Sequence, residues 1–186
     1  MPNTLSPASP QVILDAEAIG RLVSQLAEGI AKKYSGGLVR FVGIEKRGVF
    51  LARRTAVLLE DRLGPLPCGR LDISLYRDDL EGLKKVPDLR GSEIPFDMDG
   101  ASVVLFDDVL YTGRTIRAAI EELMDFGRPA RVELAALLDR GHRELPIQPD
   151  YCGFRRETGP DEYIRVRLRE LDGEDEVILG KKEAAS

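Results

Sequence analysis

The chain has 186 residues, 43% of them hydrophobic and 32% charged, with a formal net charge of −5. That is the size and composition of one ordinary domain with a core of its own. The acidic balance excludes a surface that attracts nucleic acid as a whole and leaves only a local basic patch for that role. Two cysteines and one histidine exclude a disulfide framework and a zinc cluster of the usual spacing. No apolar run reaches the length of a membrane span. Residues 1–10 are rich in Pro and Ser, without a basic start or an apolar stretch, so they do not read as a signal peptide and the expected compartment is the cytoplasm. A disordered extension is expected over 1–10, one folded domain over 11–180 and a mobile tail over 181–186.

Asp15 can cap a helix running to Lys33, in which Ile19, Leu22, Val23, Leu26 and Ile30 recur at helical spacing before Gly36 and Gly37. Residues 38–44 form a short run rich in branched apolar side chains, which predicts a strand. The charged turn Glu45-Lys46-Arg47-Gly48 follows, then a helix over 49–63 stopped at Gly64-Pro65. Leu71, Ile73 and Leu75 alternate with polar residues and suit a strand. Residues 77–93 are dense in charge, have no steady period and are long for a connector, as lids often are. A strand over 101–106 comes next. Ile116, Ala119, Ile120 and Leu123 then give a helix one apolar face, closed by Gly127. Residues 132–138 are a fully apolar strand, and 163–168 alternate like an edge strand. Strands alternating with helices predict an α/β fold whose sheet is largely parallel at its centre. Ligands in such sheets bind beyond the carboxyl ends of the strands, which selects the loops 45–48, 107–115 and 139–142.

The most informative run is Val103-Val104-Leu105-Phe106-Asp107-Asp108-Val109-Leu110-Tyr111-Thr112-Gly113-Arg114-Thr115. It joins an apolar strand to two carboxylates and then to a small hydroxyl-and-glycine loop that opens a helix. The loop offers backbone N–H groups and Thr hydroxyls to a phosphate, while the carboxylates can accept from sugar hydroxyls. It lacks the Gly-x-x-x-x-Gly-Lys-Ser/Thr spacing of a P-loop. A phospho-accepting receiver domain would carry further acidic residues after an early strand, where this chain has Glu45-Lys46-Arg47.

This run resembles the 5-phosphoribosyl-1-pyrophosphate (PRPP) motif of type I phosphoribosyltransferases. The resemblance implies an α/β fold with a central, mostly parallel sheet flanked by helices and a flexible hood loop. It implies that Asp107 and Asp108 bind the ribose, that Thr112, Gly113, Arg114 and Thr115 hold the 5-phosphate, and that Val109, Leu110 and Tyr111 between them belong to the same substrate-binding run. Glu45-Lys46-Arg47-Gly48 is similar to the family's pyrophosphate loop, with Lys46 and Arg47 as its cations and Lys46 standing where Thr is usual. The stretch Leu75-Tyr76-Arg77-Asp78-Asp79-Leu80 resembles the start of the hood, with Arg77 delivered as a catalytic charge on closure. Arg140-Gly141-His142-Arg143-Glu144-Leu145-Pro146 resembles the base-recognition turn of one subfamily, the pyrimidine operon attenuation regulators that are also uracil phosphoribosyltransferases. Arg140 and His142, with Ile164 from the late strand, would then adjoin the base.

The resemblance implies conversion of uracil and PRPP to UMP and pyrophosphate, with Mg2+ carried mainly on PRPP and no dedicated metal ligands. It also implies binding of a leader mRNA stem-loop when uridine nucleotides are abundant, and assembly as a homodimer or higher homo-oligomer. Lys32, Lys33, Arg155 and Arg156 are the candidate RNA-facing cations. Ser24, Gln25 and Glu28 occupy first-helix positions that are often basic in the subfamily. Two other readings stay open at this point: a salvage enzyme for another base without an RNA role, and an RNA-binding regulator with vestigial catalysis.

Overall fold

The computed structural model describes residues 10–34, 39–73 and 91–182. Five strands form one wholly parallel sheet: β2 (Val39–Ile44), β3 (Cys68–Leu71), β4 (Ser102–Leu110), β5 (Arg131–Asp139) and β6 (Tyr151–Arg155), in the order β3-β2-β4-β5-β6. A separate antiparallel sheet joins β1 (Gln11–Leu14), β8 (Glu176–Lys181) and β7 (Glu162–Arg167) in the order β1-β8-β7. Helices α1 (Ala16–Lys33), α2 (Arg47–Leu63) and α3 (Arg114–Met124) flank the parallel sheet, and the short α4 (Arg169–Asp172) links β7 to β8.

The central strands are apolar on both faces because both faces are covered. Val104 and Phe106 of β4 point into a cluster with Phe41, Ile19, Val23, Ala27 and Ile30 of α1, and Leu51, Ala52 and Leu59 of α2. Val103 and Leu105 point the other way, to Val42, Ile44, Leu134, Ala136 and the α3 residues Ile116, Ala119 and Leu123. Val166, Leu168 and Val177 join the first cluster, so the small sheet shares a core with α1 and α2.

Asp15 caps α1 as expected, its carboxylate accepting from the Ala18 N–H at 2.8 Å. Four boundaries depart from the sequence expectation. The third strand lies at Cys68–Leu71, so of the expected Leu71/Ile73/Leu75 alternation only Leu71 is in it, Ile73 follows it, and Leu75 lies outside the described residues. Helix α2 begins at Arg47, so two residues of the charged turn are its first turn. Strand β4 runs on to Leu110 and carries the acid pair within it, because pairing with β5 continues through Asp107↔Ala136 and Leu110↔Asp139. The late edge strand is at an edge, as its alternation indicated, but of the small sheet. The last strand reaches Lys181, and the Lys182 N–H donates to the Asp161 carbonyl at 2.7 Å, so the chain is still paired where the tail was expected to begin. Strands β1, β6 and β8 were not anticipated.

Candidate active site

The carboxyl ends of β2, β4 and β5 bring together the three loops that the topology selects. The turn after β2 contains a cis peptide between Glu45 and Lys46. It presses against the acid strand. A Cβ built on Gly48 would sit 2.2 Å from the Phe106 carbonyl oxygen and 3.4 Å from Asp107 Cα. One built on Gly43 would sit 2.3 Å from Val49 Cα. Both positions need glycine because backbone, not side chain, is the neighbour. Lys46 is exposed beside the turn. The Glu45 carboxylate accepts from Arg70 at 3.1 Å. Arg47 gives one terminal nitrogen to both carboxylate oxygens of Asp172, each at 3.0 Å.

Asp107 is buried and Asp108 half-buried. The Asp108 N–H donates to Asp107 Oδ1 at 2.9 Å, which holds the first carboxylate against its own backbone. Beyond Leu110 the chain turns, and Gly113 adopts φ 94° at the N-cap of α3. That left-handed conformation favours glycine. Thr112 Oγ1 accepts from the Arg114 N–H at 3.3 Å, so the hydroxyl stands among the open N–H groups of a helix start, where an anion is favoured. Tyr111, Thr112, Arg114 and Thr115 all lie at this exposed or half-buried rim. Val109 packs against the first core cluster. The Leu110 side chain is buried and its carbonyl accepts from the Arg140 N–H, so its contribution to the loop is to hold it in place.

The turn after β5 is fastened to this loop. Thr112 O accepts from the Glu144 and Leu145 N–H groups at 3.0 and 3.1 Å, and the Arg114 Nε–H donates to Glu144 at 2.7 Å. Arg143 donates to the carbonyls of Tyr111 (2.7 Å), Ile147 (2.9 Å) and Gly141 (3.1 Å) and pairs with Asp139 at 2.7 Å. Arg140 is buried. Its guanidinium lies over the Tyr111 ring, 4.1 Å from the centroid, and donates to Thr158 Oγ1 and the Glu162 carbonyl, both at 3.0 Å. His142, at φ 58°, donates its Nε2–H to the Thr158 carbonyl at 2.6 Å and meets Tyr111 edge-on. Arg140 and His142 thus converge on Thr158 and connect the turn after β5 to β7, where Ile164 is half-buried against the core.

The structure therefore brings Lys46, Arg47, Asp107, Asp108, residues 109–115, Arg140 and His142 to one end of the sheet. Arg77 and the hood start lie outside the described residues. Asp139, Arg143, Thr158 and Asp172 were missed as supports. Only Asp139 and Arg143 carried a sequence signal, an opposite-charge pair four residues apart across a turn.

The RNA candidates divide into two pairs. Lys32 and Lys33 end α1, and Lys33 is bound to the buried Glu133 carboxylate near the start of β5. Burial pushes the Glu133 pKa up, but hydrogen bonds from Lys33, Tyr151 and Tyr34 outweigh it and hold the group below its usual value. Arg155 ends β6 and Arg156 follows it, both exposed. Lys33 therefore stands near the start of β5, at Glu133, and Arg155 beside its end, at Asp139.

A family model described as phosphoribosyl transferase domain matches residues 11–169. The "Bifunctional protein PyrR" of a Roseiflexus species is 53% identical over 163 residues, covering 87% of this chain and 89% of its own length. The protein of the same name from Pelotomaculum thermopropionicum is 49% identical over 169 residues, covering 90% and 93%. A solved hypoxanthine phosphoribosyltransferase from Staphylococcus aureus is similar at 25% identity and TM-score 0.67, covering 93% of this chain and 91% of that one. The chain is a phosphoribosyltransferase and belongs to the family of bifunctional PyrR proteins.

Proposed function

We propose that the chain joins uracil to PRPP, giving UMP and pyrophosphate, and that with uridine nucleotide bound it grips a leader mRNA stem-loop and attenuates transcription of a pyrimidine-biosynthesis operon. The observation that carries the catalytic half is the acid pair near the end of β4, separated by residues 109–113 from the start of α3 at Arg114. This supports a reading in which sugar and phosphate are recognised by one peptide. The phosphate fits the N–H groups and hydroxyls of 112–115, and the ribose hydroxyls fit Asp107 and Asp108. The diphosphate then falls toward Lys46 and Arg47, because Gly48 is packed on Phe106.

The C1–oxygen bond to diphosphate breaks, the C1–N1 bond to uracil forms, and the N1 proton leaves. The protein's main tasks are to align the base and to neutralise charge on the leaving group. Arg140 and His142 shape the base side through Tyr111 and Thr158, with Ile164 as an apolar neighbour. Arg77 is proposed as a further cation. Among the described residues no group of three or more His, Cys, Asp or Glu could hold a metal. In this reading a Mg2+ is carried on PRPP oxygens, and the carboxylates of Asp107 and Asp108 would lie beside it. When bound, the ion offsets diphosphate charge.

The regulatory half is a cytoplasmic homodimer or larger assembly whose basic positions, Lys32, Lys33, Arg155 and Arg156, face RNA phosphates. No helix among the described residues is long and apolar enough to cross a membrane.

Conversion of labelled uracil with PRPP and Mg2+ tests the enzyme, and a gel shift with leader RNA, with and without UMP, tests the regulator. Asp107→Asn with Asp108→Asn should cut turnover at least about 100-fold. Unchanged turnover in that variant, or no UMP-dependent shift in the parent, refutes the corresponding half.

A further inference from the structure

Arg47 is the first residue of α2, in the turn assigned above to diphosphate. Its NH2 nitrogen donates to both oxygens of Asp172 at 3.0 Å. Among the described residues its Nε–H is buried and has no acceptor. A guanidinium makes two-point contacts through two forks, Nε with NH2 and NH1 with NH2. NH2 contributes one hydrogen to each, and the Asp172 carboxylate, 3.0 Å from it through both oxygens, occupies at least one of them and competes by charge with any phosphate that approaches the guanidinium.

Asp172 is itself fixed. Its Oδ2 accepts from the Leu168 N–H at 2.9 Å. The flanking Glu170 and Asp175 are clamped by Arg54, one nitrogen of which meets them at 2.5 and 2.8 Å. The carboxylate is thus built into the connector between β7 and β8 and does not follow Arg47 when it moves.

We propose that Asp172 is an affinity-determining residue of the reaction: a resident carboxylate that competes with the diphosphate of PRPP, and with product pyrophosphate, for Arg47. Arrival of the diphosphate transfers NH2 from Asp172 to phosphate and gives Nε its missing acceptor. Departure of pyrophosphate returns Arg47 to Asp172, which assists release. The inference rests on the proposed placement of diphosphate at the 45–48 turn.

The test is titration calorimetry of the full chain with pyrophosphate and Mg2+, beside steady-state kinetics. Asp172→Asn keeps an oxygen for the Leu168 N–H and removes the charge. It should tighten pyrophosphate about 3- to 10-fold and lower KM for PRPP in parallel, without raising kcat. Asp172→Ala, a second variant with no acceptor, should move both in the same direction. UMP affinity, which involves no diphosphate, should stay as in the parent. Arg47→Gln should weaken pyrophosphate, and adding Asp172→Asn to it should then change nothing. Unchanged or weaker pyrophosphate binding in both Asp172 variants overturns the inference, as does a gain that persists in the Arg47→Gln background. If the parent fails to bind pyrophosphate while binding UMP, the placement of diphosphate fails and the inference with it.

Discussion

Gly48→Ala is a one-carbon change with a large expected effect. The new Cβ would lie 2.2 Å from the Phe106 carbonyl oxygen, whereas ordinary contact begins at 3.4 Å. Clearing the clash requires a relative shift of about 1 Å between the first turn of α2 and the strand that carries Asp107. Neither side can yield by rotating a side chain, because both are backbone. Overpacking of this kind costs about 1–3 kcal/mol, offset by up to about 1 kcal/mol from the better helix propensity of alanine. The catalytic cost should be larger, because about 1 Å of misplacement is enough for a roughly 100-fold loss. Gly20→Ala is the control: it is also helical, but nothing lies within 4 Å of its added Cβ. It should stabilise by about 0.5–1 kcal/mol and leave turnover alone. Urea unfolding and UMP formation measure both effects. If Gly48→Ala matched the parent in kcat/KM, the close packing of turn on acid strand would not be what sets the site.

Two further changes probe the supports. Arg54→Gln removes a guanidinium that grips Glu170 and Asp175 at 2.5–2.9 Å and should cost about 2–3 kcal/mol, discounted for partial exposure. Hydrogen bonding to Arg54 chiefly lowers the Glu170 pKa. Burial raises that of Asp175, but bonds from Arg54 and the Arg169 N–H prevail and lower it. Groups with lowered native pKa contribute stability that is complete above the unfolded carboxylate range, about pH 4, and is lost as pH falls through the native values. The difference in Tm between parent and Arg54→Gln should therefore be full at pH 7 and shrink below about pH 4; a constant difference would refute the pairing. Arg140→Lys keeps the charge but loses the planar fork to Thr158 and Glu162 and the stack on Tyr111. It should lower kcat/KM for uracil by about 100-fold with a much smaller change for PRPP, and equal losses for both substrates would contradict its place on the base side.

The loop proposed for the phosphate was legible as a motif because one short peptide carries it, and neither the acid pair nor Thr112–Gly113 needs a distant partner to be recognised. Gly113 at φ 94° is the kind of constraint a sequence displays openly. The supports were not legible. Thr158 holds Arg140 from 18 residues away and Asp172 holds Arg47 from 125 residues away, and nothing in local spacing marks such pairs. Strand β6 was missed because Tyr-Cys-Gly-Phe-Arg has neither clean alternation nor a branched apolar run, and it is ordered by parallel pairing with β5. The end of β4 was misplaced because polarity was read as the end of the strand. The ladder continues through Asp107 and Asp108, which is what fixes those carboxylates to the sheet.

Arg47 and Arg54 are seven residues apart, so they project from one side of α2, about 10 Å apart along its axis. Both are fastened to the connector of the small sheet. Helix α2 is therefore a stiff rod bolted at two points, with the turn proposed for the leaving group at its tip. A tilt of the small sheet is transmitted mechanically to that tip, and the reverse also holds. For protein engineers this sets a unit of exchange: a chimera that imports another member's small sheet must import the matching flank of α2 as well, or the rod loses its bolts.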